Sequence, residues 1–178
     1  MIKGIKDRFK VKSGLKYLKA ELENPPATVS RPKGLRSIGV IVDMDNFDRS
    51  EEFYDLITDF NLRPNGVKII GYKAYYDTNS PYAIPVFSDK DLGWNGDIEN
   101  SYALEFLSRE YDLLINYYTK ENLMLQLMTI KTKARLKVGF SEVDSIFNDL
   151  ILSSPLLDFD TFRTEIQKYL QVMDELIL

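Results

Sequence analysis

Two aspartates, Asp43 and Asp45, follow the apolar run SIGVIVD and form the most reactive pattern in the sequence. The segment reads DMDNFD, so Asn46 and Asp48 add two further oxygen-bearing side chains. Ligands of open parallel sheets bind beyond the carboxyl ends of the strands, where carboxylates can hold Mg²⁺ or act as nucleophile and general acid. Alternatively, these aspartates end the strand and cap the following helix through their side chains.

The stretch VIVDMDNF resembles the first motif of haloacid-dehalogenase-like phosphohydrolases, in which an apolar strand ends in Asp-x-Asp. This resemblance implies Asp43 as the nucleophile, Asp45 as the acid and base, and Mg²⁺ as the metal. The lysine of that family would be Lys131 or Lys133. Where members of that family usually have Thr or Val after the second Asp, this sequence has Phe47, one position later. A second acidic site is missing after the later strands, so we do not expect hydrolysis of phosphate esters.

The composition excludes several kinds of chemistry. The 178 residues include no cysteine and no histidine, which excludes disulfides, Cys/His zinc sites and Ser-His-Asp triads. The turn after SIGVIVD lacks glycine, so neither a dinucleotide-binding loop nor a P-loop is predicted. No cofactor is expected, except Mg²⁺ if the two aspartates are catalytic. No apolar run is long enough for a transmembrane segment.

Predicted strands alternate with predicted helices along the chain. Apolar runs predict strands at SIGVIVD, VKIIGYKAYY, IPVF, DLLINYY, RLKVGF and DLIL. Helical periodicity predicts helices at SEEFYDLITDF, with Ser50 as the N-cap, and at SYALEFLSR, NLMLQLMTIK and DFDTFRTEIQKYLQVMDELIL. This alternation predicts a doubly wound, mostly parallel α/β sheet, Rossmann-like or flavodoxin-like, with SIGVIV and DLLINY as neighbouring central strands.

Polar and aromatic residues follow three of these strands. Because the carboxyl ends of parallel strands share one edge of the sheet, a ligand rim is expected there. Its predicted members, besides the two aspartates, are Asn46, Asn116, Tyr117 and Ser141. The single tryptophan, Trp94, lies in the loop GWNG, and we expect it to close one end of the core rather than to stack on a ligand.

The N-terminal segment is strongly basic. Residues 1–36 contain ten Lys and Arg against three Asp and Glu, a net charge of +7, whereas the rest of the chain carries −11. The sequence predicts a helix over residues 2–23, broken or bent at Gly14, and a Pro-rich linker at NPPATVSRPKG. We therefore expect a basic helix with its linker over residues 1–36 and a single α/β domain over residues 37–178.

The basic helix is expected to contact a polyanion, either RNA or the ribosome, or an anionic membrane surface. The predicted contact residues are Lys6, Arg8, Lys10, Lys12, Lys16 and Lys19. Alternatively, Phe9, Leu15, Leu18 and Leu22 pack on the domain and the lysines are merely solvated.

Two further resemblances concern the fold. The stretch from Asp112 to Phe140, with DLLI, a helix and ARLKVGF, resembles the N-terminal Rossmann-like domain of heptosyltransferase-type glycosyltransferases. Those enzymes need a second domain for the nucleotide-sugar, so only the fold is implied. Nearly the whole chain is similar to an uncharacterised family of small α/β proteins of Bacteroidota-type bacteria, through SIGVIVD, FSDKDLGWNG and DLLINYY…KVGF…NDLIL. That resemblance implies a cytoplasmic protein and no assigned activity.

The leading hypothesis is a non-catalytic binding module whose basic helix contacts a polyanion. The alternative is a metal-dependent, phosphohydrolase-like or sugar- or nucleotide-handling enzyme that uses Asp43 and Asp45.

Overall fold

A six-stranded, all-parallel sheet forms the centre of the fold. The computed structural model describes residues 2–176. Met1, at the start of the predicted basic segment, and residues 177–178, at the end of the predicted C-terminal helix, lie outside this range. The strands are β1 (Ile38–Asp43), β2 (Val67–Tyr72), β3 (Val86–Phe87), β4 (Glu110–Tyr117), β5 (Lys133–Phe140) and β6 (Leu150–Leu152). Their order across the sheet is β3-β2-β1-β4-β5-β6. The predicted adjacency of SIGVIV and DLLINY is confirmed, because Val40 of β1 pairs with Ile115 of β4.

Helices cover both faces of this sheet. Those within the described residues are α1 (Ile2–Glu23), α2 (Asp55–Asp59), α3 (Ser101–Leu107), α4 (Leu123–Lys131) and α5 (Phe159–Val172). Helices α2 and α5 pack on one face, where Leu56 and Ile166 join a core with Val40. Helices α1, α3 and α4 pack on the other face, where Leu18 and Leu127 join a second core. The predicted doubly wound α/β fold is therefore confirmed.

The segment after β1 does not form the helix predicted from its sequence. Residues Ser50–Tyr54 form a 3₁₀ turn that leads into α2, and Arg49, not Ser50, occupies the N-cap position. Ser50, Phe53 and Leu56 are all buried. This spacing of three matches the period of a 3₁₀ helix, whose residues i and i+3 lie above one another. Burial of this row of side chains therefore overrides the predicted cap.

Helix α1 runs without interruption from Ile2 to Glu23, so Gly14 does not break it. Gly14 is buried, and a Cβ atom at this position would lie 3.4 Å from Leu123 and 3.8 Å from the Cα of Gly96. The missing side chain allows α1 to pack closely on α4 and on the turn Trp94–Gly96. By contrast, residues 4–9 are all exposed. The C-terminal half of α1 is thus docked on the domain and the N-terminal half is not.

Two buried carboxylates fix the linker to the amino-terminal ends of the strands. Asp112 forms an ion pair with Arg31 at 3.0 Å and accepts hydrogen bonds from the backbone amides of Arg36 and Ser37. Glu175 accepts two 2.7 Å hydrogen bonds from the guanidinium of Arg135. It also accepts a hydrogen bond from the amide of Gly34, whose φ of 109° favours glycine. The linker is therefore held by charged contacts at the edge of the sheet opposite to Asp43.

Candidate functional site

The strand order reverses between β1 and β4, which is where doubly wound sheets bind their ligands. The carboxyl end of β1 is Asp43, and that of β4 is Tyr117. The side chains around these two positions therefore decide whether this crevice can take a ligand.

Asp43 is buried, and both of its carboxylate oxygens are used within its own turn. Oδ1 accepts a hydrogen bond from the amide of Asp45 at 3.1 Å, and Oδ2 accepts one from Nδ2 of Asn46 at 2.6 Å. The backbone carbonyl of Asp43 accepts a further bond from the amide of Phe47. This pattern is an Asx turn that closes the chain after β1. The turn therefore explains why an aspartate stands at this position, and no ligand is needed to explain it.

The carboxylate of Asp45 contacts a different set of residues from that of Asp43. Its Oδ1 lies 3.3 Å from Nζ of Lys73, and its Oδ2 accepts a hydrogen bond from the amide of Ala74 at 2.8 Å. Lys131 and Lys133 lie at the end of α4 and the start of β5, at the other end of the strands. Within the described residues, no group of three acidic side chains is placed to hold a metal ion. The groups implied by the phosphohydrolase resemblance are thus not brought together.

Aromatic rings occupy the crevice on the α2/α5 face. The ring of Phe47 lies 4.8 Å from that of Tyr117 and 5.9 Å from those of Phe53 and Phe159, measured between centroids. Phe47 and Tyr117 are buried, and the hydroxyl of Tyr117 donates a hydrogen bond to the carbonyl of Leu156. Burial raises the pKa of Tyr117 well above its ordinary value, which keeps the phenol neutral. The place of a ligand is taken here by the protein's own side chains.

The opposite face of the crevice is bridged by a tyrosine. Tyr72, at the end of β2, donates a 2.7 Å hydrogen bond to Asp89 and accepts a 3.0 Å bond from Asn122, which caps α4. Because β1 lies between β2 and β4, this contact runs across the end of β1. Burial and the neighbouring Asp89 carboxylate raise the pKa of Tyr72. Tyr72 is buried and neutral, so it closes the crevice on this side.

The predicted rim residues do not converge on one surface. Asn116 is 1% exposed and lies inside the sheet, where it donates to Asn148 and accepts a hydrogen bond from Thr129. Tyr117 belongs to the aromatic core described above. Ser141 is exposed at the end of β5. The expectation of an accessible rim is corrected for Asn116 and Tyr117, because successive side chains of a strand covered on both faces all point into a core.

The exposed side of α1 is rich in cationic side chains. Lys6, Arg8, Lys12, Lys16 and Lys19 are exposed, and Lys10 is half-buried. Within the described part of the chain, no salt bridge joins any of these six to an acidic group; the ion pairs that form involve other residues. Exposed apolar side chains stand among the lysines: Ile5, Phe9, Val11 and Leu15. Of the apolar residues proposed to pack on the domain, Leu18 and Leu22 do so.

Trp94 does not close the core as predicted; it is 46% exposed beside α1. The adjacent Asn95 has a φ of 55°, and its amide donates a 3.0 Å hydrogen bond to Oγ of Ser13. This bond fixes the turn against the helix and leaves the indole beside Phe9 and Lys16, where they line an open groove. Aromatic and cationic groups are thus presented on one surface, which we call the α1 surface.

A cavity of 420 Å³ lies on the same face of the sheet, between the linker, α4 and β5. Its walls include Tyr17 and Glu21 of α1, linker residues 25–29, residues 129–135, Lys137 and residues 146–149. We call it the linker cavity. It was missed in the sequence, although Lys137 in the middle of the strand KARLKVGF was a usable signal, because lysine is rare inside a covered strand.

No helix among residues 2–176 combines the length and apolar character needed to cross a bilayer. The sequence model of a family of unknown function, DUF6913, matches residues 10–173, in agreement with the predicted resemblance to an uncharacterised family. No curated protein and no solved structure matches the chain.

Proposed function

We propose that this chain, which belongs to the family of unknown function DUF6913, is a non-catalytic, cytoplasmic binding module that contacts RNA through the α1 surface. The observation that carries this proposal is the set of five exposed cationic side chains on one helix, which form no ion pair with an acidic group in the described part of the chain. Such groups release counterions from phosphates when they bind, which favours association with a polyanion.

The exposed rings of the α1 surface support RNA as the polyanion. Proteins that bind single-stranded nucleic acids combine a positive surface with aromatic side chains on which bases stack. Phe9 and Trp94 are about half exposed and stand among Lys12, Lys16 and Lys19. Bases of a single strand can therefore stack while its phosphates contact the lysines. Phosphate contacts of this kind carry no sequence information, so the proposed binding is not sequence-specific.

The distribution of side chains around α1 favours RNA over a membrane. A helix that lies in a bilayer surface separates an apolar face from a charged face. On α1, Ile5 and Phe9 share the same side of the helix with Lys12 and Lys16, so the two kinds of residue are mixed. Inserting Phe9 into lipid would draw these lysines toward the hydrocarbon region.

The geometry at the strand ends disfavours the enzymatic alternative. A phosphohydrolase-like or sugar-handling enzyme would need an open crevice between β1 and β4. Phe47 and Tyr117 occupy that crevice on one face, and Tyr72 closes it on the other. The carboxylates of Asp43 and Asp45 are engaged in local structure.

The proposal is tested by fluorescence anisotropy of a labelled oligouridine at increasing salt. Five phosphate contacts predict a slope of log K against log[salt] of about −3.5, so affinity should fall about 100-fold between about 50 and 200 mM salt. Trp94 is the only tryptophan, so quenching of its fluorescence by RNA reports directly on the α1 surface. Absence of binding to the full-length protein at the lowest salt would refute the proposal.

Two matched triple variants separate the α1 surface from general charge. The test variant is Lys12→Gln, Lys16→Gln, Lys19→Gln, and the control is Lys90→Gln, Lys120→Gln, Lys168→Gln, all at exposed positions. Both lose the same net charge. The test variant should show a slope of only about −1.4, whereas the control should keep the original slope. Equal effects of the two variants, or flotation with phosphatidylglycerol vesicles without RNA binding, would contradict the assignment.

A further inference from the structure

The linker cavity contains a lysine that has no carboxylate partner. Lys137 is half-buried, and its Nζ donates a 2.7 Å hydrogen bond to the backbone carbonyl of Thr129. Within the described residues it forms no ion pair. A partly desolvated ammonium without a direct ion-pair partner is unfavourable, and an anion bound beside it would offset that penalty.

Other groups in the walls also favour an acceptor-rich ligand. Nζ of Lys131 lies 4.2 Å from the centroid of the Tyr17 ring, and Lys131 forms no ion pair within the described residues. Nε of Arg135 and Nδ2 of Asn148 are buried donors with no hydrogen-bond acceptor in the described structure. Buried donors without partners are uncommon in folded proteins, and they often mark places where a ligand or an ion binds.

The acidic residues of the walls do not neutralise these cations. Asp149 accepts a hydrogen bond from the backbone amide of Lys137 and raises the tendency of that lysine to stay charged, but burial is the larger effect and lowers its pKa. Arg135 is already paired with Glu175. Glu21 of α1 also lines the cavity, but so do Lys131 and Lys133. The cavity therefore keeps an excess of positive charge.

Apolar side chains form another part of the lining. Pro26, Val29, Ile130 and Phe147 contribute carbon surface beside the ring of Tyr17. A volume of 420 Å³ lies within the range of sites for small organic molecules. The ligand that fits both parts has an anionic group and a flat, partly apolar body.

We propose that the linker cavity binds a small phosphorylated molecule of the size of a nucleoside monophosphate, with its phosphate at Lys131 and Lys137 and its body against Tyr17 and the linker. This site is separate from the α1 surface, which binds its partner from outside. The linker forms one wall, and its charged contacts to Asp112 and Glu175 hold that wall in place.

The test is isothermal titration calorimetry of the full chain with AMP, UMP and inorganic phosphate. AMP or UMP should bind more tightly than phosphate, because only they reach the apolar walls. Lys137→Met should weaken nucleotide binding about tenfold or more by removing a charge-assisted contact. The control, Lys168→Met on the opposite face, should bind as the native protein does. The α1 triple variant should also bind nucleotide normally, which separates this result from that of the RNA experiment.

Measuring the melting temperature tests whether Lys137→Met affects binding rather than folding. Replacing a partly buried, unpaired lysine by an apolar side chain of similar length should leave the melting temperature of the free protein equal or higher. AMP should raise the melting temperature of the native protein but not that of the variant. If neither nucleotide binds at millimolar concentration, or if the variant binds as tightly as the native protein, the proposal is overturned.

Discussion

Removing the ring of Phe47 tests whether the protein's own side chains fill the crevice between β1 and β4. Phe47 is 1% exposed and makes edge contacts with Phe53 and Tyr117 and a tilted contact with Phe159. Phe→Ala at a buried site costs about 3–5 kcal/mol. For a chain of this length, a loss of that size lowers the melting temperature by about 6–20 °C.

The assay is urea unfolding of Phe47→Ala followed by far-UV circular dichroism. Phe9→Ala is the matched control, because Phe9 is 56% exposed on α1 and its loss should change the free energy of unfolding by less than about 0.5 kcal/mol. Benzene should restore part of the lost stability, since an apolar cavity of this kind stays dry and accepts such a ligand. A loss below about 1 kcal/mol for Phe47→Ala would refute the view that this ring packs the crevice.

Two further substitutions test the supports of the linker and of β5. Glu175→Gln leaves Arg135 without its charge partner and should cost about 3–5 kcal/mol in urea unfolding. Hydrogen bonds from Arg135 lower the pKa of Glu175, so its contribution is complete above the ordinary Glu value of 4.5 and is lost as the pH falls through the folded-state pKa. The variant should therefore lose less stability than the native protein on acidification, and parallel curves would contradict this. Gly139→Ala places a Cβ atom 2.2 Å from Nδ2 of Asn148 and should cost about 1–3 kcal/mol by displacing that side chain from Asn116. Gly4→Ala, where nothing lies within 4 Å, is the control and should not destabilise the protein; equal melting temperatures for both variants would count against the Asn148 contact.

The arrangement of strands was predictable because burial dominates the sequence of each one. All six residues of β1 are buried, and seven of the eight residues of β4 are. Continuous apolar runs of that kind arise only where a sheet is covered on both faces, which leads directly to a parallel, doubly wound fold. The local sequence was therefore enough to predict the strands and the parallel fold.

The candidate site was less predictable because its contacts join residues that are far apart in the chain. Asn116 follows an apolar strand as a ligand-binding residue would, yet its partners are Thr129 and Asn148, which lie 13 and 32 residues later. Likewise, Phe47 fills the crevice through contacts with the rings of Tyr117 and Phe159, and Phe159 lies more than one hundred residues away in the chain. Periodicity within one segment cannot reveal such pairings. The unequal docking of α1 was hidden for the same reason, since it depends on Gly96 and Leu123.

The half-docked helix α1 has a consequence for how its exposed turns form. An isolated helix of fewer than about 12–15 residues is marginal in water, because starting the first turn is far less favourable than extending an existing one. The docked turns around Gly14 and Leu18 supply that start, and the turns at residues 4–9 extend from it. The cationic turns are thus helical without a partner, so the binding that we propose should sacrifice little conformational entropy in this segment. The packing beneath Gly14 therefore bears on the affinity that we propose for the α1 surface, although Gly14 itself offers no contact to a partner.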